Sequence, residues 1–300
     1  MSAPADPRFQ TSSQIRKRTM SVFTQAELSA WERDGYIVLK EAVPKTQCDA
    51  VVDAIWEFLE MDPDDPSTWY SLPPWHARTG MVEMYHHQSM WDNRQEPRIH
   101  AAFSQLFGTE KLLLRVVDRV NMNPPVREEH AYEGFIHWDF EPQTWPIPLM
   151  VQGVLLLRDT SAEQGGFQCV PGSHLQVDKI LAAQKEGANP RNPDIGDLEV
   201  RSIPGETGDL VIWHTALLHG NGPNRMDKPR LAQYIAMRSA EPDDPKHRET
   251  LVQNWRRRAP MDFRIPRAFP ADPRHLDEHQ PEPAHLTPLG RRLVGLDDWN

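Results

Sequence analysis

Two stretches of the chain decide the fold: GFIHWDF at residues 134–140 and GDLVIWHTALLH at residues 208–219. Each begins with a turn-forming glycine and continues as an apolar, β-compatible run, which is typical of a strand that enters a core. On an extended strand, residues i and i+2 face the same side, so His137 and Asp139 can bind one metal ion while Trp138 points away. A second strand need then contribute only one imidazole, that of His219.

Further short β-like segments accompany these two and are separated by turns that contain Gly and Pro. They are residues 112–120, 151–157, 166–170 and 231–238. A doubly wound α/β fold would need helices between the strands, and only Asp178 to Gly187 offers one, within an insertion. The pattern therefore predicts a mainly β fold with flanking helices, in which a double-stranded β-helix (jelly roll, cupin-like) occupies about residues 110–240.

Outside this core, the sequence predicts a mobile N-terminal leader over residues 1–20 and a single domain over residues 21–300. Thr24-Gln25-Ala26-Glu27 has the form of a capping box and begins a helix that ends at Gly35. Further helices are expected over residues 44–61, 98–107 and 242–258. A Pro-rich tail follows, and its apolar residues are expected to dock on the domain: Leu286, Leu289, Leu293, Leu296 and Trp299.

Aromatic, Met and His side chains are concentrated in about residues 64–93, between Trp69 and Trp91. Such side chains on an irregular backbone suit a lid over a ligand, and they equally suit the packing of a long loop on the core. Both interpretations stay open from the sequence. The pair His86-His87 is interpreted as polar lining, because adjacent side chains on a strand diverge.

The composition restricts the partners of the chain. A net charge of −10 and a pI near 5.7 argue against nucleic acid or an anionic membrane surface. No apolar run approaches the ~20 residues that span a bilayer, and the N-terminus lacks the pattern of a secretion signal. Cys48 and Cys169 are too few for a disulfide framework. We therefore expect a cytoplasmic protein that acts on a small molecule; its oligomeric state is not predicted.

Several hypotheses account for His137, Asp139 and His219. Two His and one carboxylate on one face of an ion leave neighbouring positions open, which is the arrangement of non-heme Fe(II) oxygenases. The same ligands suit a cupin-like Zn²⁺ hydrolase or isomerase with a metal-bound water as nucleophile. A binding protein without turnover would be expected to lose one ligand, and a chance pair of hydrogen-bonded core residues is the simplest alternative. Arg230 favours the oxygenase, because its planar charged fork suits a carboxylate.

Other cationic residues are interpreted as structural. His214 lies five residues before His219, a spacing that puts the two on opposite faces of a regular strand, so we expect His214 to be packed. His174 follows a Pro-Gly-Ser turn and is expected to brace that loop. The run at residues 256–258, Arg-Arg-Arg, is interpreted as a solvated helix end in preference to a site for phosphate or carboxylate.

Several ordered motifs together resemble one known family. They are FTQ at 23–25, DGYIVL at 34–39, NPP at 123–125, His137-x-Asp139, QGG at 164–166, VPGSH at 170–174, Gly208-Asp209, HGNGPN at 219–224, Arg230 and LTPLGRR at 286–292. Through them almost the whole chain resembles the phytanoyl-CoA dioxygenase family of Fe(II)/2-oxoglutarate-dependent oxygenases. The resemblance implies that His137, Asp139 and His219 bind iron and that Arg230 binds the distal carboxylate of 2-oxoglutarate.

The chain departs from the family pattern at two positions near the cosubstrate. Asn221 stands where many members have Ser, and its amide can still donate a hydrogen bond to the cosubstrate carboxylate. Asn123 stands where many members have Lys. Asn121 and Arg119, on the strand before Pro124, are further candidates for the cosubstrate site.

The implied reaction uses Fe(II), 2-oxoglutarate and O₂ to hydroxylate an unactivated C–H bond of a small molecule, with release of succinate and CO₂. Related halogenases lack the carboxylate ligand so that chloride can bind. The presence of Asp139 therefore predicts hydroxylation, or another oxidation such as desaturation, over chlorination. The substrate is not predicted: an acyl-CoA, an amino-acid derivative and a natural-product intermediate all fit.

Overall fold

The computed structural model describes residues 21–71, 79–259 and 271–299, so the expected leader over residues 1–20 lies outside the described residues. The described residues contain helices α1 to α7: Gln25–Asp34, Lys45–Leu59, Gln88–Arg94, Pro97–Phe107, Val177–Ala182, Pro245–Arg257 and Pro288–Val294. They also contain strands β1 to β11: Tyr36–Leu39, Met81–Val82, Leu112–Leu114, Val120–Asn123, Val151–Leu156, Phe167–Cys169, Arg201–Ser202, Leu210–His214, His219–Asn221, Arg230–Tyr234 and Met237–Ser239.

Two antiparallel sheets form the core. The larger has the strand order β1-β8-β5-β10-β4-β2, and the smaller has the order β7-β6-β9. Phe167 and Cys169 of β6 pack in one cluster with Val154, Val211 and Ala232, which lie on three central strands of the larger sheet. β3 and β11 form a separate two-stranded ribbon. Facing sheets of this kind confirm the predicted jelly roll with flanking helices.

Three of the expected strands are each divided into two parts. The run at 208–219 forms β8 and β9, and the run at 231–238 forms β10 and β11. Residues 112–120 contain β3 and the first residue of β4. In each case the two parts belong to different sheets. In residues 208–219 the sequence hides the corner because both core sheets bury apolar residues, so the apolar run continues while the chain changes sheet.

The alternation along the strands assigns the two faces of the larger sheet. The outer face of the larger sheet carries Leu155, Leu210, Ile212 and Leu231. These residues belong to the largest apolar cluster, here called the main core, to which α2 and α4 contribute their apolar sides.

The predicted capping box begins α1. Thr24 N donates to the Glu27 carboxylate (2.7 Å), and the helix ends at Gly35, which has a left-handed backbone conformation with φ 81°.

Much of the aromatic segment belongs to the main core. Trp69, Met84, Tyr85, Met90 and Trp91 are each at most 4% exposed. Residues 81–82 form β2 at the edge of the larger sheet, and residues 88–94 form α3. The packing interpretation therefore fits residues 79–93. Residues 72–78 lie outside the described residues, so a lid there stays a prediction.

The C-terminal tail docks on the domain, as the sequence predicts. Leu286 and Leu293 belong to the main core, and Leu289, Leu296 and Trp299 pack against it. The indole Nε1 of Trp299 also donates to the carbonyl of Leu112 (2.7 Å). No helix within the described ranges has the length and apolar character needed to cross a membrane.

Asp277 fixes part of this tail to the segment before α3. Its Oδ2 accepts hydrogen bonds from the backbone N–H groups of Tyr85 (2.6 Å) and His86 (3.1 Å). Burial raises the pKa of Asp277 to about 6, although these hydrogen bonds act in the opposite direction. An unfolded Asp titrates near 4, so at intermediate pH the folded protein binds more protons than the unfolded chain. The stability contribution of this group therefore falls as the pH rises from about 4 to about 6.

We expect Asp277→Asn to stabilise the protein at pH 8 by about 1–2 kcal/mol, because the amide oxygen still accepts both hydrogen bonds without a buried charge. Chemical denaturation at several pH values measures this difference. At pH 4, where the wild-type carboxyl is largely protonated, the two proteins should be equally stable. If the difference in free energy of unfolding between the two proteins were the same at every pH, the ionised carboxylate of Asp277 would not destabilise the folded protein.

Candidate active site

Backbone pairing brings the first and last of the predicted metal ligands together. His137 N donates to His219 O (2.8 Å), and His219 N donates to His137 O (3.1 Å). This single bridge replaces the strand expected over residues 134–140, and Asp139 lies in a bend. Trp138 still points the other way, into a second apolar cluster where its Nε1 donates to Ala216 O (2.9 Å). The side chains of His137 and Asp139 therefore face the same side, as expected, although they do not lie on a regular strand.

The three side chains present their ligand atoms to one another. One ligand atom from each of His137, Asp139 and His219 lies within 4.8 Å of the others. Asp139 Oδ1 is 2.9 Å from His137 Nε2, and Oδ2 is 3.3 Å from His219 Nε2. His219 Nδ1 is 2.9 Å from the carbonyl of Leu217, so Nδ1 carries a proton. When the ring is protonated, Nε2 donates to the carboxylate. When the ring is neutral, Nε2 presents a lone pair to the carboxylate oxygen, so a divalent cation can take the place of the proton between them.

Asp139 is kept ionised by its surroundings. Burial acts to raise its pKa, but hydrogen bonding and charge from His137 and His219 hold the pKa well below its usual value. Arg191, in the insertion between α5 and β7, places Nη2 3.5 Å from Asp139 Oδ1. Its segment is fixed beside the triad, since Trp138 N donates to Arg191 O (2.8 Å) and Arg191 Nε donates to Trp138 O (3.1 Å). No motif in the sequence pointed to Arg191, because this contact spans about fifty residues of irregular chain.

Gly220 permits the close approach of β9 to the ligand segment. A Cβ atom at this position would lie only 1.8 Å from the carbonyl oxygen of Phe135, which is backbone and has no free rotamer to adopt. Any larger residue at 220 must therefore separate β9 from the residues that carry His137.

We expect Gly220→Ala to lower the free energy of unfolding by about 1–3 kcal/mol and to weaken metal binding, because it displaces His137 from His219. Gly222→Ala is the matched control: the nearest atom to its Cβ would be Gln168 Oε1, the end of a flexible side chain, at 3.2 Å, and the nearest backbone atom would lie at 4.0 Å. Thermal denaturation and Fe(II) titration of both variants measure the two effects. Equal behaviour of the variants would contradict the role given to the close approach.

Arg230, the first residue of β10, is fully buried. Its Nη1 donates to Asn121 Oδ1 (2.8 Å), whereas Nε and Nη2 have no hydrogen-bond partner among the described residues. Buried polar groups are nearly always hydrogen-bonded, so two free donors on one buried guanidinium indicate a missing acceptor. Nε and Nη2 form one edge of the fork, the edge that engages a carboxylate with two parallel hydrogen bonds.

Two tyrosines that the sequence did not single out hold Asn221. Asn221 Nδ2 donates to the hydroxyl of Tyr234 (3.1 Å), and the hydroxyl of Tyr132 donates to Asn221 O (3.3 Å). Burial raises the pKa of Tyr132, so its hydroxyl stays protonated. Tyr234 lies four residues after Arg230 on the same face of β10, a spacing that could have identified it. Tyr132 lies in an irregular segment and gave no signal.

The remaining cosubstrate candidates have different surroundings. Asn121 orients Arg230 and donates to Thr79 O (3.1 Å). Asn123 pairs with Arg230 in the register of β4 and β10, and no described residue is a hydrogen-bond partner of its buried Nδ2. Arg119, in contrast, forms a buried ion pair with Glu83. The charge of Arg119 is therefore neutralised within the fold, and a contact with the cosubstrate stays a prediction.

His174 and His214 pack against each other, with ring centroids 5.5 Å apart. His174 Nε2 is 3.2 Å from Glu32 O, which joins its loop to α1. His214 Nδ1 accepts from Ala216 N (2.9 Å), and burial lowers the pKa of His214 to about 4. Both belong to the packing, as interpreted from the sequence. The sequence argument placed His214 and His219 on opposite faces of one strand, whereas in the structure the two residues lie on strands of different sheets.

A jelly roll with two His and one Asp around a common point defines a class of metal-binding β proteins. Within that class, the sequence profile described as Phytanoyl-CoA dioxygenase (PhyH) matches residues 31–232. The chain therefore belongs to the phytanoyl-CoA dioxygenase family.

The chain is also similar to individual proteins. The chain is 26% identical over 233 residues to Ava biosynthesis cluster protein O of Aspergillus versicolor, with 69% of this chain and 75% of that protein covered. It is 24% identical over 229 residues to 2-aminoethylphosphonate dioxygenase of Uncultured bacterium HF130_AEPn_1, covering 72% and 82%. A crystal structure of the epimerase SnoN in complex with Fe3+, alpha ketoglutarate and nogalamycin RO shares the fold, with a TM-score of 0.54, 20% identity and coverage of 72% and 83%.

Proposed function

We propose that this chain is an Fe(II)- and 2-oxoglutarate-dependent dioxygenase that hydroxylates an unactivated C–H bond of a small molecule, with release of succinate and CO₂. One observation carries the proposal: the His137–Asp139–His219 group occurs with a buried Arg230 whose Nε–Nη2 edge meets no hydrogen-bond partner in the part of the chain that the structure describes. A Zn²⁺ hydrolase or isomerase would use the three ligands but would not need the buried guanidinium. Membership in the family supports the oxygenase as well.

The residues divide the work between metal and cosubstrate. His137, His219 and Asp139 would hold the iron, which when bound supplies the oxidative chemistry with O₂ and 2-oxoglutarate. Arg230 binds the distal carboxylate of the cosubstrate and thereby orients the molecule. Asn121 fixes the guanidinium of Arg230 through one hydrogen bond, so the open edge of the fork keeps its direction.

Aromatic rings surround the two imidazoles. The ring of Phe135 lies 4.7 Å from that of His137, and the rings of Phe167 and Trp213 lie 5.9 Å and 5.0 Å from that of His219. Packed rings fix the orientation of the imidazoles, while the side chains of His137 and Asp139 remain 18% and 31% exposed.

The test is a substrate screen for O₂-dependent release of succinate, followed by analysis of the product formed under ¹⁸O₂. The proposal expects a product that gains one ¹⁸O atom, in a molar amount equal to the succinate released. A product without ¹⁸O would replace hydroxylation by desaturation or cyclisation where the product has lost two hydrogens, and by epimerisation where its formula is that of the substrate. Turnover of a compound with Zn²⁺, without 2-oxoglutarate and without O₂, would support the hydrolase or isomerase instead.

A further inference from the structure

Arg115, immediately after β3, carries a positive charge that the described interactions do not neutralise. The residue is half-buried, and its Nη1 donates to Thr215 Oγ1 (3.3 Å). Within the described parts of the chain, Arg115 forms no ion pair. Burial lowers the pKa of Arg115, and the carboxylates of Asp139 and Asp118 act in the opposite direction.

The neighbours of Arg115 lie on the inner face of the larger sheet. Gln152 Nε2 is 3.5 Å from the same hydroxyl oxygen of Thr215, and Gln152 pairs with Trp213 in the register of β5 and β8. The ring of Trp213 in turn contacts that of His219, at 5.0 Å between centroids. The group formed by Arg115, Gln152 and Thr215, here called the Arg115 cluster, therefore adjoins Trp213, whose ring contacts the ligand His219.

The cluster offers hydrogen-bond donors with a positive charge. Thr215 Oγ1 accepts from both Arg115 and Gln152, so its own hydroxyl proton is available to donate. The described contacts engage only Nη1 of the Arg115 guanidinium. A guanidinium together with neighbouring hydrogen-bond donors can bind a carboxylate, a sulfonate or a phosphate.

We propose that the Arg115 cluster binds an anionic group of the substrate, so that the substrate is an acidic small molecule. This inference rests on the proposed function. In the proposed enzyme, the charges of the iron, Asp139, the two carboxylates of 2-oxoglutarate and Arg230 cancel. Arg191 adds a further positive charge beside Asp139. An acidic substrate would balance this excess and would be held with its reacting carbon near the iron.

The experiment compares acids with their neutral amides as ligands of the Fe(II)- and 2-oxoglutarate-loaded protein under anaerobic conditions. The probes are 3-phenylpropionate with 3-phenylpropanamide and hexanoate with hexanamide, measured by titration calorimetry. We expect each acid to bind at least about tenfold more tightly than its amide, and Arg115→Gln to weaken acid binding by about 30-fold while amide binding is unchanged. Arg201→Gln, an exposed Arg on β7, is the matched control and should retain the preference.

Acids that bind no more tightly than their amides, or a preference that survives in Arg115→Gln, would overturn the inference. If Arg115→Gln does not fold, Thr215→Val and Gln152→Ala remove neutral members of the cluster and should reduce the same preference. The visible band of the Fe(II)–2-oxoglutarate complex is recorded in the same samples. A band without acid preference refutes the Arg115 inference alone, whereas loss of the band in the wild type refutes the proposed function.

Discussion

Asp139→Ala is expected to lower turnover by at least about a hundredfold and to weaken Fe(II) binding. Residues that only support metal ligands typically cost 10- to 100-fold when changed, so loss of a ligand should exceed that range. Removal of this carboxylate also leaves two imidazoles without the anion that both of them face. Fe(II) titration and succinate release from the purified variant measure the two effects.

Asp53→Ala provides the matched control, because Asp53 is exposed on α2, on the far side of the larger sheet from the triad. It should leave metal binding and turnover unchanged. Added azide or formate can supply a replacement anion to Asp139→Ala, and partial recovery of activity would support the ligand role. Full turnover by Asp139→Ala without any added anion would contradict it.

Arg230→Ala is expected to raise the KM for 2-oxoglutarate by about 30-fold or more while Fe(II) still binds. The loss of a buried charged partner of a carboxylate typically costs about 2–5 kcal/mol, and 2 kcal/mol corresponds to about 30-fold. The change leaves Asn121 Oδ1 without its donor, so some loss of stability should accompany it. Steady-state kinetics with varied 2-oxoglutarate and Fe(II) titration separate the two ligands.

Arg230→Lys is the conservative comparison. Lys keeps the charge but lacks the planar fork, so its KM for 2-oxoglutarate should lie between those of the wild type and Arg230→Ala. Loss of Fe(II) binding in both variants would mean that Arg230 supports the fold around the triad. An unchanged KM in Arg230→Ala would remove Arg230 from the cosubstrate site.

Most of the site could be predicted from the sequence because its residues occur in short motifs. His137 and Asp139 lie two positions apart, and Arg230 begins an apolar β run, so local spacing was enough to select them. The capping box at Thr24 and the docking of the tail could be predicted for the same reason: each depends on neighbouring residues or on a simple apolar pattern.

The remainder depends on contacts between distant segments, which local patterns do not contain. Arg191 and Tyr132 reach the site from irregular chain, and Arg119 has its partner Glu83 thirty-six residues earlier. The division of residues 208–219 between two sheets was missed because the apolar run is continuous across the corner. The aromatic segment was ambiguous, since a lid and a packed strand and helix use the same side chains.

The most direct test of the central claim is anaerobic addition of Fe(II) and then 2-oxoglutarate to the metal-free protein, followed by visible spectroscopy. We expect the weak charge-transfer band of the bidentate Fe(II)–2-oxoglutarate complex, with a higher half-saturating 2-oxoglutarate concentration in Arg230→Ala. Fe(II) binding without a band at saturating 2-oxoglutarate would contradict the assignment of this site to a 2-oxoglutarate-dependent dioxygenase.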